Sequence, residues 1–379
     1  MTILWQVLFW LCSCVIVYVY AGYPILIQCL ARIMGKNVAR SPIQPTVTVV
    51  IAAYNEAAGI RAKLDNVSSL EYSAGMVDVI VTSDASSDAT DEIVRTYDPQ
   101  RVRLVRVEGR RGKTACQNAA MQSATGEIVV FTDATTRIEP HALNALTANF
   151  ADLSVGCAAG SLVYETADHN PTGAGGAAYW SYEIKLRRAE SALGSLVGVS
   201  GCLYAVRRSA YRAIAPELIS DFVIALQLRE QGLRTVLEPA AVCFEDTLAQ
   251  PGEELAMRVR VAVRTIYALV AERRLLNPIR YGLFAWQLWS HKALRYASPL
   301  FWIIALATSL ALAAQPLYLA LFALQILLIL AGMAGFVLQT KRPGLLTKPY
   351  YFLLTNVASL LAIFRYARGE RIVTWKPIR

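Results

Sequence analysis

Charge is absent from two long stretches of this chain of 379 residues. Residues 4–20 and 300–338 contain no Asp, Glu, Lys or Arg, and the second stretch divides near Gln315 and Pro316 into two parts. Apolar runs of this length are typical of membrane-spanning helices. Residues 46–247, in contrast, alternate charged residues with short apolar runs, which predicts a water-soluble domain with its own core. The chain is therefore not embedded in lipid along its whole length.

Paired cysteine spacing is also missing. The chain has seven cysteines, and those of the polar region, Cys116, Cys157, Cys202 and Cys243, show no spacing typical of a zinc site or a disulfide framework. A reducing, cytosolic setting for this region fits best. The first apolar run continues through residues 21–33 without a clear small-residue cleavage site, so we expect a retained anchor.

Nucleic-acid motifs are absent as well, although the net charge is +9. Much of the positive surplus lies beside the apolar segments, in residues 258–280, 341–348 and 365–379. Basic residues that flank membrane spans usually face the cytoplasm and anionic lipid. We therefore predict a membrane partner and no nucleic acid, and a multi-pass protein of the inner (cell) membrane with its polar domain in the cytosol.

The polar region has the pattern of an α/β fold. Residues 46–53, 77–82, 101–107 and 127–132 read as buried strands, and residues 57–70 and 114–124 have helical spacing. Strands that alternate with helices predict a doubly wound, mainly parallel sheet, whose ligands bind at the carboxyl ends of the strands.

The polar residues at those strand ends are the candidates for a binding site. They are Tyr54, Asn55 and Glu56 after the first strand, Ser83, Asp84 and Asp88 after the second, and Asp133 after the fourth. Each acid has a simpler interpretation. Asp84 and Asp88 are placed to cap a helix starting near Ala89, and Asp133 to cap a turn before Ile138. However, all three acids are predicted to lie at one edge of one sheet, which three independent caps would not explain.

Six motifs in order carry a resemblance to a known family. They are AAYNE (52–56), SDASSDAT (83–90), GRRGKTACQNAA (109–120), FTDATT (131–136), VGVSGCLYAVRR (197–208) and ISDFVIALQLREQG (219–232). Together they resemble the family 2 inverting glycosyltransferases with the GT-A fold. The most similar branch is the membrane-embedded one that contains cellulose, hyaluronan and poly-N-acetylglucosamine synthases.

The resemblance implies a role for each matching residue. Tyr54, Glu56 and Asp84 match residues that hold the nucleoside, usually uridine, of a nucleotide sugar, and Lys113 belongs to the same pocket. Asp133 matches the first acid of the DxD motif, which meets the diphosphate through a divalent cation, Mg²⁺ or Mn²⁺. Asp221 matches the general base, and Gly201 lies where relatives line the acceptor site. Asp221 also has a simpler interpretation as the N-cap of a helix over 222–231.

Two departures from the family pattern stand out. Thr135 occupies the place of the second DxD acid, so the second metal ligand is either missing or reduced to a hydroxyl. The region where processive synthases carry QxxRW reads RVRVAVRTIYAL, with Arg260 and Arg264 four apart on one helix face but no tryptophan. These arginines are candidates to reach the diphosphate as paired cations, or to belong to a basic amphipathic helix lying on anionic lipid, and one helix can do both.

The sequence thus predicts five regions. They are an anchor (1–33), a cytosolic GT-A domain (46–250), amphipathic interfacial helices (251–297), transmembrane segments (298–364) and a basic tail (365–379). Whether residues 353–364 span is open. The predicted reaction is transfer of a sugar from a nucleotide sugar, with UDP as the expected nucleotide, to a growing glycan. Two alternatives stay open: transfer of one sugar to a polyprenyl phosphate or other lipid, and a non-catalytic partner that binds a nucleotide sugar.

Overall fold

The computed structural model describes residues 2–73, 75–165, 171–246, 251–338 and 345–374. Residues 247–250 of the predicted cytosolic domain and residues 375–379 of the predicted basic tail lie outside the described residues. The chain divides into two compact units. The α/β unit contains residues 34–165, 187–246 and 372–379, and the helical unit contains residues 1–33, 166–186 and 247–371.

One sheet of eight strands forms the α/β unit, in the order β3-β2-β1-β4-β7-β6-β8-β5. The strands, in chain order, are β1 Val47–Ala53, β2 Val77–Asp84, β3 Val102–Val107, β4 Ile128–Asp133, β5 Arg137–Ile138, β6 Val155–Glu165, β7 Leu203–Arg207 and β8 Arg234–Asp246.

Helices surround this sheet and also make up the helical unit. In chain order they are α1 Thr2–Val17, α2 Tyr23–Met34, α3 Ile60–Ser68, α4 Thr90–Arg95, α5 Lys113–Ser123, α6 Ala142–Ala148, α7 Pro171–Leu193, α8 Ser220–Glu230, α9 Pro251–Ala271, α10 Pro278–Tyr281, α11 Leu283–Leu288, α12 Leu294–Ala311, α13 Pro316–Leu338 and α14 Thr347–Ala367.

The first four strands confirm the predicted parallel arrangement. β1 pairs in parallel with β2 on one side and β4 on the other, and β3 extends the sheet beyond β2. Every residue of β1 is buried, which explains its continuous β-branched and alanine sequence. In register, Ala52 lies beside Asp133 and Ala53 beside Ser83, so the strand ends that carry the candidate residues meet at one edge.

The second half of the sheet is mixed. β7 runs antiparallel to both β4 and β6, β6 and β8 are parallel, and the short β5 pairs antiparallel with β8. Because β7 begins at Leu203, opposite Thr132 near the end of β4, the residues just before β7 lie next to Asp133. The sheet is therefore mainly parallel, with β7 and β5 reversed.

Among the described residues, three helices are long and apolar enough to cross a membrane. They are the continuous helix Thr2–Met34, the helix Leu283–Ala311 and α13. α1 packs on α12 and the start of α13 through the buried residues Phe9, Cys12, Ala305, Leu312 and Tyr318. α14 packs on α13, where Gly332 and Gly335 allow close approach of the backbone around Leu346 and Pro349.

The second of these helices contains the last part of the predicted interfacial region, residues 283–297. It runs without a break from Leu283 through a π-helical turn at Trp289–Ala293 to Ala311, and the interfacial position of residues 251–297 stays a prediction. Charged side chains at this turn pair within the helical unit. Glu183 on α7 pairs with His291 (Nε2 to Oε1, 3.0 Å) and with Arg295 (Nη1 to Oε2, 3.1 Å). These contacts satisfy the Glu183 carboxylate, which is buried.

Candidate functional site

The loops that follow β1 and β2 bind each other at the carboxyl edge of the sheet. Asn55 N–H donates to Ser86 Oγ (3.1 Å), and Ser87 N–H donates to Asn55 Oδ1 (2.8 Å). Asp88 accepts from the backbone N–H groups of Ala57 (3.1 Å) and Thr90 (3.0 Å). Asp88 thus meets the first turn of α4 as the cap interpretation required, but it also fixes the loop after β1.

Backbone strain is concentrated in the same loops. Among the described residues, the non-glycine residues with positive φ are Asn55 (53°), Ala85 (55°) and Arg110 (49°). They fall in the loops after β1, β2 and β3 respectively. Such left-handed conformations are unfavourable for side chains other than glycine and are often found at ligand sites.

Asp84 binds the chain itself. Its carboxylate is fully buried and accepts from the backbone N–H groups of Arg111 (Oδ1, 2.6 Å) and Gly112 (Oδ2, 3.0 Å), while Arg110 Nε lies 3.5 Å from Oδ2. Asp84 is therefore not a helix cap. Its contact with a nucleoside stays a prediction, and what it does here is hold the loop between β3 and α5.

The same loop presents a cation to Tyr54. The Arg110 guanidinium carbon lies 3.2 Å from the centroid of the Tyr54 ring, as in a cation–π contact. At Gly112, where φ is +88°, an added Cβ would come within 2.4 Å of the Val373 carbonyl oxygen. The C-terminal segment therefore packs directly on this loop. Glu56, the third residue predicted near the nucleoside, is half-buried at the end of the loop after β1.

Four predicted site residues meet on the other side of this edge. Lys113, the first residue of α5, donates from Nζ to Asp133 Oδ1 and to the Gly201 carbonyl oxygen (3.2 Å). A Cβ added to Gly201 would lie 3.0 Å from both Asp221 Oδ2 and Lys113 Nζ. The carboxylate of Asp221 and the ammonium of Lys113 therefore border the same small space above Gly201, with Asp133 beside it.

The electrostatics of Lys113 reflect this meeting. Burial lowers its pKa, but the negative charges of Asp133 and then Asp221 outweigh burial and hold the pKa above its ordinary value. The ammonium thus stays charged at neutral pH. A permanently charged lysine between two carboxylates suits an anionic ligand whose charge it can share.

Hydrogen bonds from two other segments fix the start of α8, which carries Asp221. It lies in the first turn of α8, where Ile219 occupies the N-cap position, so the N-cap interpretation of Asp221 is wrong. Val199 N–H donates to the Asp221 carbonyl oxygen (2.9 Å), and Thr114 Oγ1 on α5 donates to the Leu218 carbonyl oxygen (2.8 Å). The start of α8 is therefore tied to the helix that carries Lys113.

A group of potential metal ligands lies beside Asp133. Asp133, Cys202 and Glu245 each offer one ligand atom, and these atoms lie within 4.8 Å of one another. Burial, followed by the charge of Asp133, raises the pKa of Glu245, and burial raises the pKa of the Cys202 thiol well above its ordinary value. The donor set is thus two carboxylates and a neutral thiol, and its oxygens fit a hard divalent cation such as Mg²⁺ or Mn²⁺.

Sequence reasoning missed Glu245, Lys63 and Asn66. Lys63 is 3% exposed and donates from Nζ to Thr132 Oγ1 (2.9 Å) and to the Thr136 carbonyl oxygen. Asn66 bonds both backbone groups of Ile138: Nδ2 donates to its oxygen (2.9 Å) and Oδ1 accepts from its N–H (2.8 Å). Helix α3 thereby holds both flanks of Asp133. A lysine within an otherwise buried helix face was the available signal.

Arg260 and Arg264 lie on α9, in the helical unit, and Arg264 is buried. Their contact with a diphosphate stays a prediction.

Comparisons with known proteins identify the family of the α/β unit and its fold. Residues 48–215 match the sequence model of the family described as Glycosyl transferase family 2. An N-acetylglucosaminyltransferase of Rhizobium sp. (strain N33) is 26% identical over 64% of this chain and 57% of its own length. A poly-beta-1,6-N-acetyl-D-glucosamine synthase of Staphylococcus aureus (strain COL) is 24% identical over 52% of this chain and 49% of its own length. The chain thus spans only about half the length of these relatives.

A solved structure resembles nearly the whole chain. It is a mannosyltransferase from Pyrobaculum calidifontis in complex with GDP-Man and Mn²⁺, with a TM-score of 0.74 and 24% identity over 96% of this chain and 100% of that one. The mixed, mainly parallel sheet is the GT-A fold of glycosyltransferases, as predicted. Within that class, residues 48–215 form a glycosyltransferase family 2 domain.

Proposed function

We propose that this protein transfers a sugar, with inversion, from a uridine diphosphate sugar to a growing glycan. The observation that carries the proposal is the space above Gly201, which Asp221 Oδ2 and Lys113 Nζ both border at 3.0 Å from the position of an added Cβ. Glycosyl transfer releases a proton from the acceptor hydroxyl and builds negative charge on the leaving diphosphate. A carboxylate beside a cation can accept the proton and stabilise that negative charge in the same small space. The similarity to a poly-beta-1,6-N-acetyl-D-glucosamine synthase supports a glycan as the acceptor.

Asp221 is proposed as the general base. The acceptor hydroxyl gives its proton to the Asp221 carboxylate while its oxygen forms a bond to the anomeric carbon of the donor. The bond between that carbon and the diphosphate oxygen breaks, and the nucleoside diphosphate leaves with the electron pair. A single displacement of this kind inverts the anomeric centre. A positioned base of this type typically contributes a factor of about 10²–10⁴ to the rate.

The leaving diphosphate is stabilised by positive charge. Lys113, now paired with Asp133, is placed to share its ammonium with the departing phosphate oxygens. A divalent cation held at Asp133, Mg²⁺ or Mn²⁺, would supply further positive charge to the diphosphate. Arg260 and Arg264 on α9 are proposed as additional cations for the same group.

The nucleoside is proposed to bind at the loops after β1, β2 and β3. Tyr54 and Glu56 line this region, and Arg110 covers one face of the Tyr54 ring. Asp84 contributes by fixing the backbone of residues 111 and 112. Uridine is the expected base, although the similar mannosyltransferase was solved with GDP-Man; donor panels should therefore include both nucleotides.

The reaction is proposed to take place at the cytosolic face of the inner membrane. Three helices of membrane-spanning length and composition support attachment to a bilayer. Nucleotide sugars are cytosolic, and the basic residues that flank the apolar segments favour that side for the α/β unit.

The test is donor turnover by the full chain purified in detergent. The protein is incubated with Mg²⁺ or Mn²⁺, membrane extract as the source of acceptor, and a panel of radiolabelled UDP- and GDP-sugars, and released nucleotide and product size are measured. We expect UDP release with incorporation of label into a polymer, and none with Asp221→Asn. Label confined to a lipid-soluble monosaccharide would assign a lipid acceptor. Binding of UDP without turnover across the panel would indicate the non-catalytic alternative.

A further inference from the structure

The proposed cation site at Asp133 lacks the second carboxylate that a DxD motif would provide. Thr135 follows Asp133 by two positions and offers only a hydroxyl. We propose that Glu245, on β8, is the second carboxylate ligand of the divalent cation beside Asp133. This inference rests on the proposed function, because it completes the cation site of that reaction from a distant strand.

The sheet brings Glu245 to this place. Antiparallel pairing of β5 with β8 sets Arg137 opposite Phe244, so Glu245 lies against the short segment that joins Asp133 to β5. Glu245 Oε1 accepts from Thr136 Oγ1 (3.2 Å) and lies 3.5 Å from Thr135 Oγ1. The Glu245 carboxylate therefore lies beside residue 135, the position at which a DxD motif would have its second acid.

The chemistry of the group favours an oxygen-preferring cation. The ligand atoms of Asp133 and Glu245 belong to a set that lies within 4.8 Å of one another, which brings two negative charges close together in a partly buried site. A cation between them removes that repulsion. Cys202 Sγ donates to Glu245 Oε2 (3.2 Å), so in this arrangement the thiol orients the carboxylate as a hydrogen-bond donor. Mg²⁺ and Mn²⁺ prefer such carboxylate ligands over sulfur.

Two further features point to a cation at this place. The Lys113 ammonium binds Asp133 Oδ1, which shows that this carboxylate is accessible to a positively charged partner. Lys63 binds the Thr132 hydroxyl before Asp133 and the Thr136 carbonyl oxygen after it, and Asn66 binds the backbone of Ile138, so the segment that carries Asp133 is held in place before any ligand arrives. A preorganised acid with a positively charged partner is what binding of a metal–diphosphate pair requires.

The experiment measures Mn²⁺ binding directly. The full chain in detergent, with UDP in one series and GDP in another, is titrated with Mn²⁺, and free Mn²⁺ is followed by its electron paramagnetic resonance signal. We expect Glu245→Gln to weaken Mn²⁺ affinity by about tenfold or more, since even outer-shell partners of metal ligands are worth about 10–100-fold. Asp246→Asn removes the same charge from the next residue of β8, which is exposed, and should change the affinity by less than about twofold.

A rescue variant separates ligation from a structural role. Thr135→Asp in the Glu245→Gln background should restore most of the lost Mn²⁺ affinity, because the new acid takes the place of the missing carboxylate. A residue that only supports Thr136 and Cys202 would not be replaced in this way. Unchanged Mn²⁺ affinity in Glu245→Gln, failure of the rescue, or no Mn²⁺ binding by the parent chain with either nucleotide would overturn the inference.

None of these readouts requires sugar transfer. If the parent chain binds Mn²⁺ through Glu245 but releases no nucleotide from any donor, the metal site stands and the proposed enzymatic function fails. If the donors turn over while Glu245→Gln binds Mn²⁺ normally, the proposed function stands and this inference fails.

Discussion

The acids at the edge of the sheet fall into two groups that differ in what holds them. Asp84 and Asp88 accept hydrogen bonds from backbone N–H groups of neighbouring loops. Asp133 and Glu245 instead bind side chains, namely the Lys113 ammonium and the groups of Cys202 and Thr136. We call the first pair the backbone-bound acids and the second pair the side-chain-bound acids.

This difference in partners predicts different roles for the two pairs of acids. Backbone amides are fixed by the fold, and a buried carboxylate that satisfies them cannot leave without stranding a donor. Side-chain partners such as Lys113 can rotate toward an arriving phosphate without loss of the fold. The backbone-bound acids should therefore affect stability first, whereas the side-chain-bound acids, with Asp221 beside them, should affect ligand binding and turnover first.

The largest expected effect is that of Asp221→Asn on turnover. Asparagine keeps the shape of the side chain but cannot accept the acceptor proton, so we expect turnover to fall by about 10²–10⁴-fold. Nucleotide affinity, measured by calorimetry with UDP, and the thermal midpoint should stay close to those of the parent chain. Glu230→Gln, at the other end of α8, is the matched control and should retain activity. Full turnover in Asp221→Asn would remove Asp221 from the chemistry.

The next effect tests the backbone-bound acids. Asp84→Asn places an amide where a fully buried carboxylate accepts two N–H groups, so we expect a loss of about 1–3 kcal/mol in stability. Asp133→Asn breaks a pair whose side chains are 29% and 22% exposed, and should cost less than about 1 kcal/mol. Thermal unfolding in detergent measures both. Equal losses for the two variants would abolish the distinction between the groups.

A smaller effect on turnover is expected from a substitution of Gly201, which lies between Asp221 and Lys113. Gly201→Ala puts a methyl group 3.0 Å from Asp221 Oδ2 and Lys113 Nζ, and both are ends of flexible side chains that can give way. The fold should tolerate the change, whereas displacement of the two reactive groups should lower turnover by about tenfold. Gly252→Ala, whose Cβ would meet nothing within 4 Å, is the control. Wild-type turnover in Gly201→Ala would show that this space is not used in the reaction.

The first half of the fold was predictable and the second half was not. β1 to β4 are continuous apolar or β-branched runs, and the structure has them within about two residues of the predicted limits. β6 is rich in glycine and alanine, and β8 is interrupted by Pro239, so neither has the composition typical of strands. These strands form because the edge beyond β4 offers partners, which is tertiary information.

The site divides in the same way. The resemblance brought together Lys113, Asp133, Gly201 and Asp221, and the structure has them adjacent. Glu245 was missed because it ends a strand that the sequence did not reveal. Asp84 was expected at the nucleoside, but its partners are amides of a loop after β3 that bends back through a left-handed residue, Arg110. Sequence patterns do not encode such a reversal.

Lys63 should affect only the pH dependence of stability, and it links the two groups because it holds the backbone beside a side-chain-bound acid. Burial, offset only in part by Asp133, lowers its pKa from 10.5 to about 7. The unfolded chain therefore binds more protons between these values, and stability should rise with pH from about 7 to 10.5. We expect the parent chain to gain about 1 kcal/mol per pH unit across this window relative to Lys63→Met, as read from thermal midpoints. Lys36→Met, at an exposed position, should keep the parent's pH dependence. Parallel curves for the parent chain and Lys63→Met would mean that Lys63 is charged throughout, so that its ammonium permanently opposes the cation proposed beside Asp133.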